Sequence, residues 1–256
     1  MEFLSVDEAE MIHWALVEDF SDSINPIYPP GVKDINLLAS AVFRQHTSIG
    51  NTEKYTDPFS NAASLFYGIC CDHPFHNGNK RTALVSMLVH LEKNNLTLDG
   101  VKENDLYNLV ISLAKHTILD DYSHDNKYNK VNPDNETMII SNWIKRHSRY
   151  IIRGERNITY RQLDRILKRH SYSLDNPSGN YIDIVRLSMG KKIHIGKIGY
   201  PNQNEDVSIH DIKYVRSLCH LKEEDGCDSN TFYGEAGIID SFINKYRNIL
   251  KRLANK

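Results

Sequence analysis

Twelve consecutive residues, Asp72-His73-Pro74-Phe75-His76-Asn77-Gly78-Asn79-Lys80-Arg81-Thr82-Ala83, hold the side chains best able to do chemistry in this 256-residue chain. Before them, residues 59–71 put Ala62, Ala63, Leu65, Phe66 and Ile69 at spacings that fit one buried helical face. After them, residues 80–94 repeat the pattern with Ala83, Leu84, Met87, Leu88 and Leu91, and Asn94-Asn95 supplies a polar stop. The motif is therefore predicted to be a short loop between two buried helices. Gly78 lets the backbone bend or approach a ligand closely, and the helix start after it presents N–H groups that lack intrahelical partners. Such a start attracts anions, and Lys80 and Arg81 beside it suit phosphate oxygens. His73, at the other end of the loop, is a candidate general base, and Asn77 has an amide oxygen to offer a metal ion.

These residues resemble the core motif of the Fic/Doc (Fido) family, His-x-Phe-x-Asp/Asn-Gly/Ala-Asn-Gly/Lys-Arg. The Lys80-Arg81-Thr82-Ala83 ending, with Leu84 where a second arginine would stand, is more similar to the death-on-curing (Doc) branch than to the adenylylating branch. Phe3-Leu4-Ser5-Val6, Pro30-Gly31-Val32-Lys33-Asp34 and Leu37-Leu38-Ala39-Ser40-Ala41 resemble the family's opening segments in order, so about 120 residues are covered. The resemblance implies an all-helical domain that moves a phosphate-containing group, phosphoryl or AMP, from ATP or another nucleoside triphosphate with Mg²⁺ to a hydroxyl of a target protein. Carried over by position, His73 is the catalytic base and Phe75 the buried anchor of the loop. Gly78, Asn79, Lys80 and Arg81 bind the nucleotide, and Asn77 occupies the metal position. Many relatives have Asp there, and an amide oxygen is a poorer ligand for Mg²⁺. The resemblance also implies a toxin, held in check either by an antitoxin in trans or by its own glutamate. The nearest match to the self-inhibiting pattern, Thr231-Phe232-Tyr233-Gly234-Glu235-Ala236, fails at its last position.

Composition sets the outer bounds. The formal net charge of −2 argues neither for nor against nucleic acid as a partner. No apolar run approaches the ~18 residues of a membrane span, and Met1-Glu2-Phe3-Leu4-Ser5 does not open a signal segment, so a soluble cytoplasmic protein is expected. Four cysteines, two of them adjacent, form no disulfide framework. Cys70, Cys71, His73 and His76 lack the paired spacing of structural zinc sites.

The elements that must position the motif come first in the chain. Ser5 with acidic residues after it starts a helix whose stripe is Ala9, Ile12, Leu16 and Phe20, and residues 34–43 form a second helix. Gly50-Asn51 within the polar stretch 44–57 suggests a hairpin, which the resemblance makes a flap that pairs with the target's backbone. Residues 98–102 read as a connection, 103–119 as one helix, 120–135 as a loop and 137–149 as a helix.

Farther on, residues 159–170 read as a helix, 172–174 as extended and 176–179 as a turn. Strands at 181–187 and 192–198 and a helix from Ser208 complete a small α+β unit, and one helix over 233–256 ends the chain. The domain reading is 1–120 Fic/Doc domain, 121–157 linker and bridging helix, 158–222 α+β domain, 223–256 loop and helix. The α+β part weakly resembles the HicA-like fold of small toxin ribonucleases, but Asn180 and Tyr181 follow Gly179 where that family carries its histidine. Arg161, Arg165, Lys168 and Arg169 make one basic helix face, suited to RNA or simply solvated. The competing function is accordingly a catalytically weak or inactive module acting through this basic domain on RNA or a partner protein.

Overall fold

The computed structural model describes residues 1–122, 131–151, 158–188, 190–227 and 229–254, without the side chains of 49, 229–231 and 234–236. The chain divides into two units, Met1–Ile151 with Phe242–Lys256, and Ile152–Ser241. The architecture is mainly helical, with one small three-stranded sheet in the C-terminal part.

In the first unit, Val6–Asp19 (α1) begins at a capping box in which Ser5 accepts from the N–H of Glu8 and Glu8 reaches back to the N–H of Ser5. Ile35–Phe43 (α2) is capped by Asp34 and leads through a 3-10 turn into Ser48–Ile49 (β1) and Thr52–Glu53 (β2), an antiparallel hairpin around Gly50-Asn51. Pro58–Cys71 (α3) is capped by Asp57, and Asn79–Lys93 (α4) follows the motif loop. Residues 61–70 of α3 and 81–91 of α4 are buried without a break, so these two helices lie at the centre of the unit, with α1 and α2 against them. Gly68 permits the close approach of α3 to α2, since a Cβ there would stand 2.8 Å from the carbonyl oxygen of Ala41.

Leu96–Leu98 (β3) is followed by Glu103–Ala114 (α5), Ile118–Tyr122 (α6) and Pro133–Arg146 (α7), and α7 packs on α3. Ser148–Tyr150 (β4) pairs antiparallel with β3, Leu96 opposite Tyr150.

The second unit contains Tyr160–Arg169 (α8), Tyr172–Ser178 (β5), Tyr181–Ser188 (β6), Lys191–Gly199 (β7) and Ile209–Leu218 (α9). Its sheet is antiparallel in the order β5-β6-β7, and Ile182, Ile184 and Ile198 join Leu163, Ile166, Leu167, Ile212 and Val215 in one core. Ser229–Lys245 (α10) belongs to this unit up to Ser241 and to the first from Phe242. In the first unit Arg247–Arg252 (α11) packs on α5, with Arg252 over the Tyr107 ring and bonded to Asn104.

Several readings of the sequence need correction. Beside its helices the first unit holds two short ribbons, β1-β2, the hairpin expected around Gly50-Asn51, and β3-β4, which the sequence reading did not include. Residue 98 closes a strand rather than opening a connection, and its partner is some fifty residues away, beyond the reach of local pattern. The helix read over 103–119 breaks after Ala114, where His116 takes a φ of +56°, and resumes as α6. The helix read over 137–149 is α7, which starts earlier because Asn132 caps it and Pro133 takes its first position. Part of the loop read over 120–135, residues 123–130, lies outside the described residues. The turn read at 176–179 is a strand end, since β5 continues to Ser178 with a register shift after Asp175. The C-terminal helix is two helices, interrupted at Tyr246.

Candidate active site

The motif loop starts where α3 stops, at Asp72. The next residue, His73, has a φ of +50°, a left-handed turn that ends the helical path and leaves the imidazole exposed. Pro74 and Phe75 then pair with the segment after α1: the Pro74 carbonyl accepts from the N–H of Lys33 at 2.8 Å, and Phe75 bridges Val32. The N–H of His76 donates to the Gly31 carbonyl at 3.1 Å, while its side chain is exposed.

Phe75 is 1% exposed, its ring stacked on that of His13 at 4.1 Å and 10°. His13 holds three parts of the unit together. Its Nε2 accepts from the N–H of Gly31 at 3.0 Å, so its proton sits on Nδ1, which donates to Thr82 Oγ1 at 3.1 Å. Burial, then the charge of Arg81, pushes its pKa down to about 4, and it is a neutral pin between α1, α4 and the loop.

Asn79 closes the loop from the other side. Its Oδ1 accepts from the N–H of Phe75 and its Nδ2 donates to the Phe75 carbonyl, both at 2.9 Å. The side chain acts as a strand edge for one residue, and its atoms face the loop backbone. Asn77 is also engaged at both ends: Oδ1 accepts from the N–H of Gly78 at 2.6 Å, and Nδ2 donates to the Tyr28 carbonyl at 2.8 Å.

Gly78 is the N-cap of α4 with a φ of +78°, and a Cβ there would also press on Ile27 Cδ1 at 3.0 Å. No side chain caps this helix, and no acidic residue lies in its first turn, so Lys80 and Arg81 add to its positive end rather than offset it. Burial lowers the pKa of Lys80; Cys70 opposes that, and Arg81 and Lys115 add to it. Arg81 is only 2% exposed, and burial lowers its pKa to about 10. Its guanidinium lies 5.4 Å from the Phe20 ring centroid, Nη1 donates to the Asn25 carbonyl at 3.2 Å, and Nε is buried with no hydrogen-bond partner. The loop thus leads from an exposed His73 to Gly78, Lys80 and the start of α4, with Arg81 buried and bonded to the Asn25 carbonyl.

On the α3 side, Arg44 lies 4.8 Å over the Tyr67 ring in space left by Gly68. Burial raises the pKa of Asp72 while Arg44 and His73 draw it down. The Cys70 contact and burial raise the Cys71 thiol well above its ordinary range, so neither chemistry nor metal binding is favoured there. Among the described residues no group of three or more His, Cys, Asp or Glu converges.

The sequence reading passed over His13, although it lies four residues after Ala9 and belongs to the same buried stripe. It also passed over Asn25 and Tyr28, whose contributions are main-chain carbonyls and so leave no trace in residue type.

Elsewhere, the basic face of α8 is largely engaged within its own unit. Arg165 pairs with Asp240 at 2.6 Å, Lys168 with Asp164 at 2.7 Å, and Arg169 donates to the Tyr233 carbonyl. His194 stands 3.5 Å from Asp183. Glu235 lies outside the described side chains.

Residues 3–91, from the chain's start through the motif loop and nearly all of α4, match the model of the Fic/DOC family. Over this segment the chain is similar to the Fic/DOC family. No match to a curated protein was found. The Fic/DOC family is generally one of transferases that take nucleotide-derived groups from nucleoside triphosphates and act on protein targets. No helix among the described residues is long and apolar enough to cross a membrane.

Proposed function

We propose that the Fic/DOC segment transfers a phosphate-containing group, phosphoryl or AMP, from a nucleoside triphosphate such as ATP to a hydroxyl of a target protein. The observation that carries this reading is the pairing, across one five-residue turn stapled by Asn79, of an exposed histidine with a helix start that has no side-chain cap. His73 takes the proton of the attacking hydroxyl. Its oxygen then bonds to phosphorus as the bond to the leaving phosphate breaks. The start of α4, with Lys80, offsets the negative charge on the transferred group. With the γ-phosphate beside His73 the leaving group is the nucleoside diphosphate and the target is phosphorylated; with the α-phosphate there it is pyrophosphate and the target is adenylylated. The Doc-like ending at Leu84 supports phosphorylation. The β1-β2 hairpin would seat the target segment as an added strand.

Mg²⁺ is implied by the family, but the residues do not fit it here. The ligand position carries a neutral amide with both ends engaged. A Doc-type toxin in the cytoplasm, controlled by an antitoxin in trans, fits this reading. The second reading, a weak or inactive binding module, is favoured by one observation, the inward path of Arg81 to Asn25.

Intact-mass analysis of extract proteins incubated with ATP, Mg²⁺ and either the parent or His73→Ala separates the two. A target that gains one phosphoryl or adenylyl mass only with the parent supports transfer and identifies the group. No gain dependent on His73 with any nucleoside triphosphate supports the binding module.

A further inference from the structure

Residues 25–31, in the stretch between α1 and α2, run along the motif loop and the first turn of α4. The Asn25 carbonyl accepts from Arg81, Ile27 packs on Gly78, the Tyr28 carbonyl accepts from Asn77, and the Gly31 carbonyl accepts from the N–H of His76. At its base, Arg247 Nη2 meets Asp19 Oδ1 at 2.5 Å, and the Phe20 ring lies 5.4 Å from the Arg81 guanidinium and 5.7 Å from that of Arg247. Both ends of the stretch are therefore held, by α11 at the start and by the Val32–Phe75 bridge at the finish.

From the tip of the motif loop, the Asn77 side chain reaches the middle of this stretch at the Tyr28 carbonyl. The orientation of its amide is fixed by its partners: turning it over would set Nδ2 against the N–H of Gly78 and the oxygen against the Tyr28 carbonyl. A carboxylate of the same size could still accept from Gly78. It could not donate to Tyr28, and it would place negative charge against that carbonyl. The identity of this residue, Asn rather than Asp, is therefore what the contact with Tyr28 requires.

We propose that Asn77 is a positioning residue, whose amide latches residues 25–28 over the start of α4 instead of holding a divalent cation. The assignment rests on the reading of this loop as the nucleotide site. While the latch is closed, the Asn25 carbonyl occupies Arg81 Nη1 and Ile27 covers Gly78. When it opens, the guanidinium loses its acceptor and the first turn of α4 is uncovered. The latch thus sets how readily Arg81 reaches a phosphate.

Hydrogen exchange of the peptide covering residues 20–31, read by mass spectrometry, tests the latch without requiring activity. Asn77→Asp is expected to speed exchange about tenfold, from the lost hydrogen bond and the new repulsion, and Asn77→Ala by a smaller factor. Asn77→Ala carries the test if the carboxylate prevents folding, and tryptophan fluorescence establishes that each variant is folded. Calorimetric titration with ATP, with and without Mg²⁺, gives the second readout. If Asn77 is a latch, Asn77→Ala binds ATP at least as tightly as the parent, with the same Mg²⁺ dependence. Unchanged exchange in both variants overturns the proposal. So does a Mg²⁺ dependence in the parent that Asn77→Ala abolishes, since Asn77 would then be the ligand. Accelerated exchange in the variants, with no ATP binding by the parent, would sink the transferase reading and leave the latch standing.

Discussion

Lowering the pH from 7.5 to 5.5 adds protons to His13 and His90 in the unfolded chain but scarcely in the folded one. Both side chains are fully buried and both have pKa values near 4, His13 from burial and Arg81, His90 from burial and Lys93 with Glu8 opposing. His90 donates from Nε2 to Asn61 Oδ1 at 2.9 Å, and its Nδ1 is buried with no partner, so a second proton would have nowhere to bond. A histidine whose folded pKa lies below its unfolded value of about 6.5 contributes stability that is full above pH 6.5 and is lost toward pH 4. Over this window each group removes on the order of 1 kcal/mol, the two together about 2–3 kcal/mol, a large share of a typical domain's ~5–15 kcal/mol. At a urea dependence of about 2 kcal/mol/M, the midpoint should fall by roughly 1 M. Both tryptophans of the chain, Trp14 and Trp143, lie in the first unit, so fluorescence during urea unfolding reports this unit alone. In the double variant His13→Gln, His90→Gln, the unit starts less stable at pH 7.5 but loses about 2–3 kcal/mol less on acidification. If the double variant loses as much stability as the parent over the same window, the buried neutral histidines are not the cause.

Other expectations follow from the same geometry. Phe75→Ala removes a buried ring from its stack on His13 and should cost about 3–5 kcal/mol in urea unfolding, with Phe75→Leu costing less. Asn79→Ala leaves the N–H and carbonyl of Phe75 without their partner; a loss of about 1–3 kcal/mol is expected, together with weaker ATP binding by calorimetry as the loop loses its shape. Gly68→Ala forces a methyl against the Ala41 carbonyl and the Arg44 side chain, and should lower the melting temperature by an amount matching about 1–3 kcal/mol. Gly78→Ala combines a left-handed backbone with contact on Ile27; its cost is about 1–3 kcal/mol, measured the same way.

How much of this was legible depended on whether the cause was local. The helices flanking the motif announced themselves because both bury long runs, and the caps at Ser5, Asp34 and Thr159 are side chains acting on their own next turn. The pairing of β3 with β4 left no local mark, since three residues give no period and the partner strand is distant. The break in the helix read over 103–119 depends on a left-handed His116, whose residue type does not demand that conformation. At the site, residue types pointed to the loop and its chemistry but not to who holds whom. Asn79 suggested anion binding and is bonded to Phe75, and Arg81 suggested phosphate and is bonded to Asn25.

That difference has a physical basis that bears on any reading of this motif. A loop that must present an exposed histidine and the bare N–H groups of a helix start cannot stabilise itself through those groups, because the ligand needs them. Its order must come from side chains facing the other way, and here these are Phe75 on His13, Asn79 on the Phe75 backbone and Asn77 on Tyr28. Half of the motif is therefore scaffold for the other half. Removing Phe75 or Asn79 should lower stability and binding together, whereas His73, exposed at a left-handed turn, should be replaceable by alanine with loss of transfer at little cost to the unfolding midpoint. A His73→Ala protein that unfolded several kcal/mol more easily would place the histidine among the scaffold and count against its role as the base.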